Sequence, residues 1–175
     1  MGIIQRMFGR RPPVPDSAGR YLQKEERALA WAQAVTGQVL VATPRGLHVV
    51  NDEAHRLVAW HEISKATWGE RWLTVIESRV VEGSQIVDEQ AWRLEFDEPG
   101  GVPPVVRRRV ESAVVVSARY PLAGGALIVG RKVAGRDGLL WQYRLDREHP
   151  LSPLERAELE RAVETERSRS TPADL

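Results

Sequence analysis

The chain has 175 residues, with 25 Lys plus Arg against 24 Asp plus Glu, a net charge of +1 and no cysteine. That length favours one domain whose core is large enough to need no disulfide or metal staple. The lack of cysteine excludes disulfides, thiolate zinc sites and thiol nucleophiles. No apolar run reaches the roughly 18 residues of a membrane-spanning helix, and the start lacks the long apolar stretch and cleavage site of a signal peptide, so the cytoplasm is the expected location.

The N-terminal arm, residues 1–19, is the most polarised segment. Ile3, Ile4, Met7 and Phe8 fall at helical spacing, and Arg6, Arg10 and Arg11 supply positive charge. A short basic amphipathic helix of that kind lies in a membrane interface, so these seven residues are the candidate membrane contact, with an anionic surface at the inner membrane as the alternative location. Residues 9–19 are rich in Pro and Gly and read as a flexible linker. The remainder of the chain is close to neutral, which argues against a nucleic-acid partner.

A single domain is expected over 20–167, with a disordered tail over 168–175. Residues 21–34 read as a short helix or turn leading into a sheet. The run Gln38-Val-Leu-Val-Ala-Thr43 is a strand, closed by Pro44-Arg45-Gly46, and Leu47 to Val50 is its neighbour. Arg56 to Val58 continues into a third. Ile63 to Trp68 and Trp72 to Ser78 flank a hairpin turn at Gly69-Glu70-Arg71, and Gly83-Ser84 is another turn. Trp92, Leu94 and Phe96 alternate with Arg93 and Glu95, the pattern of a half-buried strand. Pro103-Pro104 opens an amphipathic helix expected over 103–119. Gly124-Gly125 begins a last hairpin, Ala126 to Val133 and Leu139 to Leu145, in which Leu139, Trp141, Tyr143 and Leu145 share one face. Ser152-Pro-Leu-Glu155 is a capping box opening a helix to about 167, with Leu154, Ala157, Ala162 and Val163 expected to face inward. The fold class is α+β, a meandering antiparallel sheet or partial barrel of about seven strands with two packing helices.

The stretch Val41-Ala-Thr-Pro-Arg-Gly-Leu47, followed by Arg56-Leu-Val-Ala-Trp-His-Glu-Ile63, Ala66-Thr-Trp68 and Leu73-Thr-Val75, resembles bacterial PH-like domains. It is similar in particular to small uncharacterised actinobacterial proteins of that type, over about residues 25–120. The resemblance implies a curved, partly closed antiparallel barrel with a helix packed at one end. Members of the wider superfamily bind phosphoinositides, peptides or other proteins. The sequence departs from the seven-strands-then-helix order, with about five strands, a helix, two strands and a second helix, so no functional residue is carried over.

Candidate chemistry is sparse. His48, His55 and His61 fall close together, but on strands and a turn rather than at metal-ligand spacing on a helix. His61-Glu62-Ile-Ser-Lys65 has Lys where a zincin motif needs its second His. Gly125-Ala-Leu-Ile-Val-Gly130-Arg-Lys132 lacks the Lys-Ser/Thr of a phosphate loop. Glu77, Glu82, Asp88 and Glu89 supply carboxylates, and a small enzyme with acids in a barrel mouth is the weakest of three readings. Arg107-Arg108-Arg109 spreads round a helix and reads as a solvated face. Most of the six Trp are expected in the interior, and Trp68, Arg71 and Trp72 form the candidate partner surface. The expected function is a non-enzymatic PH-like binding or scaffold module for an unknown protein partner, with no catalytic, cofactor or metal residues assigned. The alternative is a peripheral membrane protein held by the arm.

Overall fold

The computed structural model describes residues 13–170 apart from Glu53, Ala123 and Glu148. The seven candidate membrane contacts, Ile3 to Arg11, lie outside the described residues. The chain begins with a short helix α1 (Asp16–Gly19) and four strands, β1 (Ala30–Gln33), β2 (Val39–Ala42), β3 (Gly46–Val50) and β4 (His55–Ala59), which form an antiparallel sheet in the order β1-β2-β3-β4. A single 3₁₀ turn, Trp60–Glu62, leads into β5 (Ile63–Gly69), β6 (Trp72–Glu82), β7 (Gln85–Asp88) and β8 (Trp92–Glu95). Helix α2 (Val102–Ala113) follows, then β9 (Val114–Tyr120), β10 (Ala126–Lys132), β11 (Leu139–Leu145) and helix α3 (Pro153–Ser170).

The later strands make a curled seven-stranded sheet in the order β5-β6-β7-β11-β10-β9, with β8 paired to β6. Strand β6 is long enough to serve two neighbourhoods. Its first half pairs with β5 and β8, and its second half, from Ser78 to Glu82, pairs with β7. The sheet is mixed, because β7 and β11 run parallel through the pair Tyr143 and Gln85. The α+β partial barrel therefore holds, with eleven strands in two sheets and a third short helix among the described residues.

Two principal cores follow from the two sheets. The first joins Leu40, Leu47, Ile63, Leu73, Val75 and Phe96 to Val102 and Val106 of α2. The second joins Ile128, Trp141 and Tyr143 to Leu159 and Val163 of α3. A smaller cluster covers the outer face of β2 and β3, where Ala18 packs with Val39, Val41 and Val50, and with Val14 and Tyr21 beside them. That cover explains why every residue of β2 is buried, and why its sequence is an unbroken apolar run rather than an alternating one.

Four boundaries differ from the sequence reading. The linker read over 9–19 does not extend through its last residues, since Asp16–Gly19 is helical and Ala18 is 1% exposed. The segment read over 21–34 as a short helix or turn does turn, but it gives way to β1 at Ala30. The helix expected over 103–119 stops at Ala113, and Val114-Val115-Val116 opens β9 instead, paired with β10. Consecutive β-branched side chains lose rotamer freedom in a helix and pack well on a pleated strand. Helix α3 runs three residues past 167, and turns Leu159 and Val163 inward, while Leu154 is 73% exposed and Ala157 is exposed.

Candidate functional site

Strand β5 is a terminal strand of its sheet, paired with β6 alone. Its burial alternates along Ile63–Gly69, as a strand with one face on the core requires. Beside it, α2 crosses the sheet and leaves an apolar groove of about 540 Å³. Ala66 and Trp68 of β5, Leu73 of β6, and Pro104, Val106 and Val110 of α2 line it. Pro103 and Pro104 sit in the first turn of α2, where a missing N–H leaves no bond unmade. On the solvent side of the groove the Arg107 Nε–H donates to Glu111 Oε1 at 2.8 Å, one turn apart. Of the three consecutive arginines, Arg107 and Arg108 are exposed.

The structure brings Trp68, Arg71 and Trp72 onto one hairpin, with different roles. Trp68 lies 5.8 Å from the Phe96 ring and lines the groove. Arg71 is engaged by Glu95 at 3.3 Å and by Asp97. The Arg93 guanidinium covers the Trp72 ring at 4.5 Å from its centroid. Trp68 is therefore the member of the three that faces an open surface feature. Trp60 and Trp141 are buried, and the other four Trp are partly buried.

The histidines meet in a network that the sequence did not suggest. His48 on β3 and His55 on β4 occupy diagonal positions of the antiparallel ladder. His48 Nδ1 and His55 Nε2 stand 2.9 Å apart, and His48 Nε2 lies 2.8 Å from Glu26 Oε1. The same carboxylate accepts from Thr43 Oγ1 at 2.6 Å, from the Gln23 N–H at 3.1 Å and from Arg45 Nη1 at 3.2 Å. An ionised carboxylate only accepts, so His48 donates its Nε2–H to Glu26; when His48 is neutral, its Nδ1 accepts from the His55 Nε2–H. His55 then stacks on Tyr21 at 4.4 Å.

Burial alone would raise the Glu26 pKa, but the bonds from Thr43, His48 and Gln23 and the His48 charge outweigh it and bring it down to about 2. Burial and the neighbouring His48 hold His55 below the usual histidine range, with Glu26 opposing. The Glu26 and His48 side chains are each 2% exposed. These bonds fasten the segment from Tyr21 to Glu26 onto the first sheet. His61 stands apart, its pKa lowered chiefly by burial, with Glu62 opposing and Arg131 and Arg136 adding to the fall. Among the described residues no group of three His, Cys, Asp or Glu is placed to hold a metal ion.

The carboxylates weighed for acid–base work are placed in ion pairs. Glu77 accepts from Arg56 at 2.7 Å, Glu89 pairs with Arg79 at 3.1 Å, Glu82 with Arg156 at 3.0 Å and Asp88 with Arg144 at 2.9 Å. Residues Gly125 to Lys132 lie on β10 and the turn before it, so the near match to a phosphate loop is a strand. No described helix is long and apolar enough to cross a membrane. The chain matches no family model, no curated protein and no solved structure.

Proposed function

We propose that the chain is a non-enzymatic binding module of the PH-like kind, and that it takes an extended peptide as an added strand on β5. The observation that carries this reading is the edge of β5 that no second strand pairs among the described residues, lying beside the apolar groove under α2. Backbone pairing along such an edge supplies affinity, and pockets for alternate side chains supply selectivity. Trp68 and Val110 offer the apolar walls for those side chains. Support for the PH-like reading comes from the arrangement of the first core, in which a four-stranded sheet, the three strands β5, β6 and β8, and a closing helix surround one interior.

The test uses the full chain and peptides selected from a random displayed library. A selected peptide is expected to shift the amide resonances of Ile63–Gly69 and of α2. Methylating alternate backbone nitrogens of that peptide should weaken it by about tenfold or more, since each lost backbone bond in a desolvated ladder costs about 1 kcal/mol or more. Peptides that bind equally well after methylation at either set of alternate positions, or that shift residues remote from β5, overturn the reading.

A further inference from the structure

One small cavity among the strands of the curled sheet carries charge that its own residues leave unbalanced. Ser64 of β5, Ile86 of β7, Ser117 of β9, Val129 and Arg131 of β10 and Arg144 of β11 surround a cavity of about 120 Å³. Five strands from both ends of the sheet therefore contribute to one small space. Arg131 is 5% exposed. Its Nη1 donates to the carbonyl oxygens of His61 at 2.7 Å and Ile63 at 3.2 Å, while its Nε–H is buried with no acceptor.

Arg144 stands on the same wall, but its charge is answered. Its Nη1 donates to Asp88 Oδ2 at 2.9 Å, and Asp88 Oδ1 accepts from the Ser64 hydroxyl at 2.5 Å. Among the described residues no carboxylate lies within ion-pair distance of Arg131. Two guanidinium groups thus share one carboxylate. A guanidinium keeps its proton in proteins, and a buried cation without a counter-charge is costly. Burial and the Arg144 charge press the Arg131 pKa below its ordinary value, with Asp88 opposing.

We propose that this cavity binds a small tetrahedral oxyanion of the phosphate and sulfate class. Arg131 supplies the buried charge, and Ser117 and the remaining N–H groups of Arg144 supply donors nearer the mouth. The space is ample for several waters, and so for one such ion. Donors converging from separate strands suit an acceptor with several oxygens better than a spherical halide. Guanidinium groups are also the side chains best matched to oxyanion geometry. The site is distinct from the α2 groove and does not rest on the peptide reading.

The experiment measures binding of inorganic phosphate to the full chain by titration calorimetry, with the ionic strength held constant by sodium chloride. Saturable binding of one phosphate per chain is expected. Replacing Arg131→Met should weaken it about tenfold to a hundredfold, the range for loss of a charge-assisted bond. Ser117 is exposed on an edge strand, so Ser117→Asp keeps the proposal falsifiable if the Arg131 variant does not fold. That change places a carboxylate at the cavity and should raise the thermal midpoint in phosphate-free buffer while abolishing phosphate binding. Glycerol phosphate is the second arm. Competition with inorganic phosphate supports the site with phosphate esters as its source, and failure to compete supports it with the free ion. No saturable phosphate binding, or binding unaltered by Ser117→Asp, overturns the proposal.

Discussion

Glu26 shows how much of a fold one residue can hold in place. Four donors converge on its carboxylate, from Thr43, His48, Arg45 and the Gln23 backbone. Glu26→Ala would leave the buried His48 without the acceptor for its Nε2–H, and should destabilise the chain by about 3 kcal/mol or more, measured by urea denaturation. The pH dependence has two limbs. His55 has a folded pKa below its unfolded value near 6.5. Below 6.5 the unfolded chain therefore binds the proton more readily, and stability that is full above that pH falls as the pH drops toward the folded value. Glu26 is depressed from 4.5 to about 2, so its contribution is full above 4.5 and is lost as the pH falls through about 2. Denaturation midpoints across this range should show both limbs. Glu26→Gln should flatten the acid limb, and His55→Gln the upper one. In the sequence His48 alternates with Leu47 and Val49 and reads as a surface or edge histidine, whereas it is buried because the segment from Ala18 to Glu26 covers that face of the sheet. The sequence does not show which acid meets it, because Glu26 arrives from 22 residues earlier through an irregular segment.

At the scale of elements, turn and cap chemistry were the most legible parts of the sequence. The β5–β6 hairpin turns through Glu70 and Arg71, with Gly69 opposite Trp72. Glu70 has φ of 52°, and it is the one non-glycine residue with positive φ among those described. Positive φ at the first of two loop residues is the pattern of a type II′ turn, which favours glycine there. Glu70→Gly should therefore raise stability by about 0.5–1 kcal/mol, read as a higher thermal midpoint. The cap of α3 follows its sequence signature closely. The Glu155 N–H donates to Ser152 Oγ at 3.2 Å, and the Ser152 N–H donates back to Glu155 Oε2 at 2.8 Å. Ser152→Ala should cost about 1 kcal/mol. The passage from α2 into β9 was less legible. Its apolar residues continue at three- and four-residue steps beyond Ala113, and periodicity carried the expected helix across a boundary that pairing with β10 decides. The inward face of α3 was legible in part: Val163 and Ala162 pack on the second core as expected, whereas Leu154 falls in the first turn, ahead of the part that meets the sheet, and Leu159 rather than Ala157 is buried.

The whole molecule is assembled from two packed units, and the sequence shows each more clearly than their union. The parallel contact of β7 with β11 joins segments more than fifty residues apart, and no local pattern announces it. The second core depends on α3 covering the β9–β11 sheet, so Leu159→Ala should cost about 2–5 kcal/mol. Arg131 bonds across to the 3₁₀ turn and β5 of the first unit, with its donors on the His61 and Ile63 carbonyls. The candidate groove was legible in part. Trp68 was among the residues singled out for a partner, whereas Pro104, Val106 and Val110 come to it only through the packing of α2 on β5. On the proposed function, β5 receives a peptide as an added strand, and hydrogen exchange of the full chain, with and without a saturating selected peptide, reads that pairing residue by residue. An added antiparallel strand bonds every second residue of the edge, so protection should rise at alternate amides between Ile63 and Gly69 while the others stay unchanged. Unchanged exchange along β5 in a chain saturated with peptide would contradict the claim.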